Sequence, residues 1–105
     1  MAKTSPTQRS LQLMRDRGCL AEVVERWNPH SRTRHDLWGF VDIICLDDNQ
    51  VIAVQSTSRS NMSARIRKIE EHENLAAVLR AGIQIVVFGW KKDKAGKWLV
   101  DEFTF

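Results

Sequence analysis

One acid stands out from its surroundings. Asp42 lies inside the apolar run GFVDIICL, where an unpaired charge would be expensive to bury. Either its charge is satisfied by bonded neighbours, or it faces a cleft and holds a cation. The segment VQSTS a little further on places Gln55 and Thr57 two residues apart, so that both side chains leave one face of a strand. If residues 39–58 form a hairpin, Asp42, Gln55 and Thr57 meet at the end away from its turn. A carboxylate and an amide carbonyl presented together suit a hard divalent ion such as Mg²⁺, or Mn²⁺ in its place. Such an ion polarises a phosphoryl oxygen and acidifies a bound water.

Charge is distributed around this hairpin in a pattern. From Arg26 to His35 there are three arginines (Arg26, Arg32, Arg34) and two histidines (His30, His35), with no acid among them. From Arg59 to Lys68 come Arg59, Arg65, Arg67 and Lys68, again with no acid. The formal net charge is only +3, so the clustering carries more information than the total. A basic rim around a strand acid points to a polyanionic partner such as nucleic acid; two merely solvated surfaces are the alternative. His30 and His35 lack the spacing of a zinc site and read as phosphate contacts or plain surface. Trp27, Trp38, Trp90 and Trp98 read first as core residues, with Trp38 the best placed for base stacking.

The elements that must position these groups follow from periodicity and breakers. Residues 1–6 read as a flexible N-terminus, and 7–105 as one domain large enough for a core of its own. A helix is expected over 7–17, with Gly18 at its C-terminal end. A strand is expected over 20–27, then a basic loop from Asn28-Pro29 to His35. Strands over 39–46 and 51–58 flank a turn at Asp47-Asp48-Asn49. A long helix is expected over 61–80, capped by Ser60 or Asn61, with an apolar stripe of Met62, Ile66, Ile69, Leu75, Ala76 and Leu79. Its N-terminus, beside the polar end of the hairpin, suits a phosphate. IQIVVFGW is a buried strand over 83–90, followed by a polar turn at 91–97 and an edge strand over 98–105. The order is αβββαββ, an α/β class with a central mixed sheet flanked by helices.

With these elements in place the chain resembles the PD-(D/E)XK nuclease superfamily, the restriction-endonuclease-like fold of Holliday-junction resolvases and many small phage and bacterial nucleases. The resemblance rests on GFVDII for the strand acid and VQSTS for the polar pair, and it spans almost the whole chain. It implies a restriction-endonuclease-like αβββαββ domain and a Mg²⁺-dependent endodeoxyribonuclease that hydrolyses DNA phosphodiester bonds. By position it makes Asp42 a metal ligand, Gln55 the counterpart of the second acid and Thr57 the counterpart of the lysine. Both differ from the usual (D/E)xK pair. Gln55 offers only a neutral carbonyl, and Thr57 brings no positive charge. Arg59, Arg65 and Lys68, from the following helix, are the candidates to supply the cation. Thr7 or Gln8 stands where resolvase-like members carry a further helix acid, and Glu25 or Asp36 takes its place as a metal ligand. Arg32, Arg34, His35, Trp38, Arg59, Arg65, Arg67 and Lys68 form the expected DNA contacts. Cutting both strands would call for a homodimer.

Two readings from other classes accompany this one: a DNA-binding module that kept the fold and lost the chemistry, and a structural subunit with incidental basic patches. Cys19 and Cys45 are too few and too far apart for a zinc or redox motif and read as buried thiols. With no leader and no membrane-spanning run, they point to the reducing cytoplasm.

Overall fold

A computed structural model describes residues 4–105. Helix α1 runs over Pro6–Asp16, one residue earlier than expected, because Ser5 caps it: the Ser5 Oγ accepts the Gln8 N–H at 3.1 Å, and Pro6 supplies a fixed φ in the first turn. The helix and its cap therefore begin inside the segment 1–6 read as flexible, of which residues 1–3 lie outside the described residues. Thr7, Ser10, Leu11 and Met14 recur at helical spacing and form the buried face of α1.

The strands are β1 (Leu20–Val23), β2 (Arg26–Asn28), β3 (Thr33–His35), β4 (Ile43–Asp47), β5 (Gln50–Ser58), β6 (Gln84–Lys92) and β7 (Trp98–Thr104). Five of them form a mixed sheet in the order β1-β4-β5-β6-β7. β5 and β6 are parallel, with Val54 opposite Val86, and the other pairs are antiparallel. A parallel pair needs a crossover, and helices α2 (Met62–Glu70) and α3 (Leu75–Arg80) supply it. The protein is thus a compact α/β fold with a five-stranded mixed sheet and helices. On one face Leu11 and Met14 of α1 pack on Ile43, Cys45, Val54 and Phe88. On the other, Met62, Ile69 and Val78 pack on Phe40, Ala53 and Val87. Cys19 and Cys45 are free and buried, and burial, followed by the neighbouring Cys19, pushes the Cys45 thiol up to about 12. Among the described residues no helix is long and apolar enough to cross a membrane.

Four expected segments differ, each for a physical reason. The strand expected over 20–27 splits. After Val24 donates its N–H to the Asp42 carbonyl at 2.8 Å, the chain leaves the sheet, and Arg26–Asn28 pairs with Thr33–His35 as a separate two-stranded ribbon. Most of the expected basic loop is therefore a hairpin. Its turn is closed by the Asn28 Oδ1, which accepts the His30 N–H at 3.0 Å, and by Arg32 in the left-handed region at φ 53°. The strand expected over 39–46 begins only at Ile43. Before it, Leu37 and Val41 exchange both backbone bonds at 2.9 Å around a turn with Trp38 and Gly39 at positive φ.

That turn also explains why the helix expected over 61–80 is two helices. The His72 ring packs edge-on against Phe40, 5.2 Å between centroids, and occupies the space where a Cβ on Gly39 would stand. The Asn74 Nδ2 donates to the Trp38 carbonyl at 3.0 Å. His72–Asn74 is committed to the turn and cannot continue the helix. The break resets the helical phase. Val78 becomes the buried residue of α3, while Leu79, expected in the apolar stripe, is exposed.

Candidate metal centre

The turn at Leu37–Val41 delivers Asp42 into the fold immediately ahead of β4. Its backbone is held on two sides: the N–H donates to the Val54 carbonyl and the carbonyl accepts from Val24, both at 2.8 Å. The side chain is 3% exposed. Its Oδ2 accepts the Gln55 Nε2–H and the Ser56 backbone N–H, each at 2.8 Å. Two donors on one oxygen fix the carboxyl and leave Oδ1 for another partner. Gln55 and Thr57 are buried beside it, as their strand phase requires. Gln55 thus spends its amide N–H on Asp42, and only its carbonyl remains as a potential ligand atom.

Two further carboxylates reach the same point. Glu25 directly precedes β2 and Asp36 directly follows β3, so both stand at the root of the ribbon. Ligand oxygens of Glu25, Asp36 and Asp42 lie within 4.8 Å of one another. Three acids this close disfavour ionisation of the most buried one. Burial above all, opposed by the Ser56 N–H and reinforced by the charges of Asp36 and Glu25, pushes the Asp42 carboxyl up to about 8. A divalent cation reverses that balance, because it neutralises the repulsion and takes the desolvated oxygens as ligands. The donor set is all hard oxygen, of the kind that Mg²⁺ or Mn²⁺ takes. The residues present fit such an ion.

The cluster lies in a cleft of about 510 Å³. Ser5, Pro6 and Thr7 at the start of α1 form one part of its wall. Gln55 to Ser58 form another, and Asn61, Arg65 and Lys68 a third. Arg65 and Lys68 are three apart and so share a face of α2. Arg34 of the ribbon completes the rim, with its Nη1 3.6 Å from the Glu25 Oε1. Thr7 therefore stands at the cleft without a carboxylate, and Glu25 and Asp36 supply acids there from the ribbon root instead.

Several expected contacts lie elsewhere. Arg59 is drawn to Asp101 of β7, to which its Nε donates, and lines a different depression with Gly89, Lys91 and Leu99. The ion pair holds its guanidinium on Asp101, and Arg59 does not line the cleft. Trp38 lines an apolar groove of about 200 Å³ with Asn74, Ala77, Val78, Ala81 and Ile83, because its turn points it toward α3. Arg67 is exposed on α2 and does not line the cleft, and Arg32 is exposed at the ribbon tip. His35 faces a shallow concavity on the ribbon with Arg26, Trp27, Asn28 and Pro29. Sequence reasoning missed the Ser56 backbone N–H, which carries no side-chain signature, and the exposure of Trp27 on the ribbon.

No protein-family model, curated protein or solved structure matches the chain.

Proposed function

We propose that the protein is a Mg²⁺-dependent endodeoxyribonuclease with a restriction-endonuclease-like domain, hydrolysing DNA phosphodiester bonds at the Asp42 cleft. One observation carries this reading. Three carboxylates converge within 4.8 Å in a cleft whose rim is cationic, which is the combination that binds a metal and a phosphate side by side. Along the main sheet the elements run helix, three strands, helices, two strands, consistent with the resemblance.

Asp42, Glu25 and Asp36 would hold the ion, with the Gln55 carbonyl as a further neutral ligand. The ion would polarise the scissile phosphoryl group and lower the pKa of an attacking water. Gln55 and the Ser56 N–H keep the Asp42 Oδ2 oriented, which leaves Oδ1 directed at the cleft. Arg65 and Lys68 neutralise the phosphate from α2, in the role the resemblance would give a lysine at Thr57. Arg34 moves between Glu25 and a DNA phosphate. Thr57 contributes shape and polarity to the wall. A non-catalytic DNA-binding module of the same fold is the second reading. Gln55 and Thr57 favour it, since they stand where an acid and a lysine would serve chemistry.

The deciding experiment incubates the full chain with duplex, flap, single-stranded and four-way-junction DNA, with Mg²⁺ or Mn²⁺ and with EDTA. We expect metal-dependent strand scission that Asp42→Ala abolishes and Arg59→Ala preserves. Salt-dependent DNA binding without scission on every substrate would establish the binding module instead.

A further inference from the structure

We infer that the β2–β3 ribbon is an arm for single-stranded nucleic acid, reading an unpaired base through Trp27, so that the substrate at the cleft carries a single-stranded segment. The inference rests on the nuclease reading only for the chemistry of the neighbouring cleft.

The four tryptophans differ in what covers them. The Trp90 N–H donates to the Ser10 Oγ in the core, and Trp98 lies under the Arg9 guanidinium, 3.5 Å from its centroid. Trp38 sits in the groove beside α3. Trp27 is 59% exposed on a ribbon only three residues long per strand, and among the described residues no cation or ring is stacked on it. A large ring left in water on a projecting ribbon gains from any flat partner that covers it.

The register says where that partner lies. Trp27 pairs with Arg34, and residues directly opposite in an antiparallel pair share a face. Arg34 lines the metal cleft. A base on Trp27 is therefore next to the arginine that reaches the cleft. The other face carries Arg26 opposite His35, and a concavity of about 330 Å³ is lined by Arg26, Trp27, Asn28, Pro29 and His35. Arg34 on the Trp27 face, Arg26 on the opposite face and Arg32 at the tip make the ribbon cationic on every side. Duplex DNA hides the faces of its bases, whereas a single strand offers them, and an aromatic ring beside arginines is the platform such strands use.

The test is equilibrium binding of the full chain to fluorescent oligo-dT and to duplex of the same length, in EDTA so that cleavage plays no part. Trp27→Leu keeps apolar bulk and removes the π face, while Trp27→Phe keeps a ring. We expect Trp27→Leu to lose roughly 5- to 100-fold in oligo-dT affinity, the range for one stacked base. Duplex affinity should change less than about twofold, and Trp27→Phe should stay near wild type. Wild-type affinity should fall with salt with a logarithmic slope of about −2, as for three phosphate contacts on a single strand. Unchanged oligo-dT binding by Trp27→Leu, or equal losses on both DNA forms, overturns the inference. Metal-dependent cleavage together with unaltered Trp27→Leu binding sinks the arm alone. The expected binding losses with no cleavage by wild type sink the nuclease and leave the arm.

Discussion

Replacing Asp42 by asparagine separates the electrostatic cost of the cleft from its chemistry. The asparagine carbonyl can accept the Gln55 Nε2–H and the Ser56 N–H as Oδ2 does, and its amide can donate toward Glu25 and Asp36. Geometry is kept and one buried charge is gone. In the folded wild type the Asp42 carboxyl holds its proton up to about pH 8, mainly because it is buried, while in the unfolded chain it releases it near its ordinary value of 3.8. Between those values the folded state binds more protons than the unfolded state. Stability is therefore fully present below the lower value, falls as pH rises, and levels off only above the upper one. At about 1.4 kcal/mol per pH unit, the displacement from 3.8 to about 8 sets a ceiling of about 6 kcal/mol. Relaxation of the cluster and entry of water reduce this, as effective dielectric constants near 20 for buried sites imply.

The assay is urea unfolding in EDTA from pH 5 to pH 8. We expect wild type to lose at least about 2 kcal/mol relative to Asp42→Asn across that window, with the mutant curve nearly flat. Taking the difference between the two proteins removes titrations they share. Mg²⁺ or Mn²⁺ should abolish the fall in wild type alone, by about 2.7 kcal/mol at a hundredfold excess over the dissociation constant. Parallel pH curves for the two proteins in EDTA would refute the reasoning, because Asp42 would then be ionised in the fold at no cost. Equal stabilisation of both by the metal would refute the placement of the ion.

Two further changes probe the site and its support. Gln55→Glu replaces the donor to Asp42 with a fourth carboxylate, so it should cost about 1–3 kcal/mol in EDTA at pH 7.5 and yet tighten Mn²⁺ binding in calorimetry; a neutral effect in EDTA would show that the Gln55–Asp42 bond contributes nothing. Gly39→Ala should cost at least about 1–3 kcal/mol in thermal unfolding, since Gly39 is at φ 93° and a Cβ there meets the His72 ring. Adding His72→Ala should recover the steric part and leave the strain, and simple additivity of the two would argue against the contact.

The main sheet was legible because its signals are local and redundant. IQIVVFGW can hardly be other than a buried strand, and once VIAVQSTS is read as a strand its period of two places Gln55 and Thr57 on one face. The errors came where a residue answers to a distant partner. His72 and Asn74 carry no strong breaker signal, yet they end α2 because the Leu37–Phe40 turn packs against them. With that break unseen, the helical phase ran on and placed Leu79 in the core instead of Val78. Arg59 follows the same logic. Its sequence position beside the polar strand end is right, but its charge answers to Asp101, which is 42 residues away in the chain.

The carboxylate cluster lies between these cases, since one register decides it. The run from Arg26 to His35 is free of acid and is bounded by acid on both sides. Read as a loop, it leaves Glu25 and Asp36 eleven residues apart and unrelated. Read as a hairpin in which Arg26 faces His35, it brings Glu25 and Asp36 together at the root. Like charges brought together in this way destabilise a ribbon. Arg34 offsets part of the repulsion from 3.6 Å, and Asp42 beneath adds to it once it loses its proton above about pH 8. A hairpin whose root is unfavourable by itself, directly above a third buried acid, gains from whatever neutralises the cluster, including the proton that Asp42 holds up to about pH 8. The basic ribbon and the acidic centre are thus one structural unit. Whatever engages Arg26, Arg34 and Trp27 also bears on Glu25 and Asp36, which flank the ribbon's two strands.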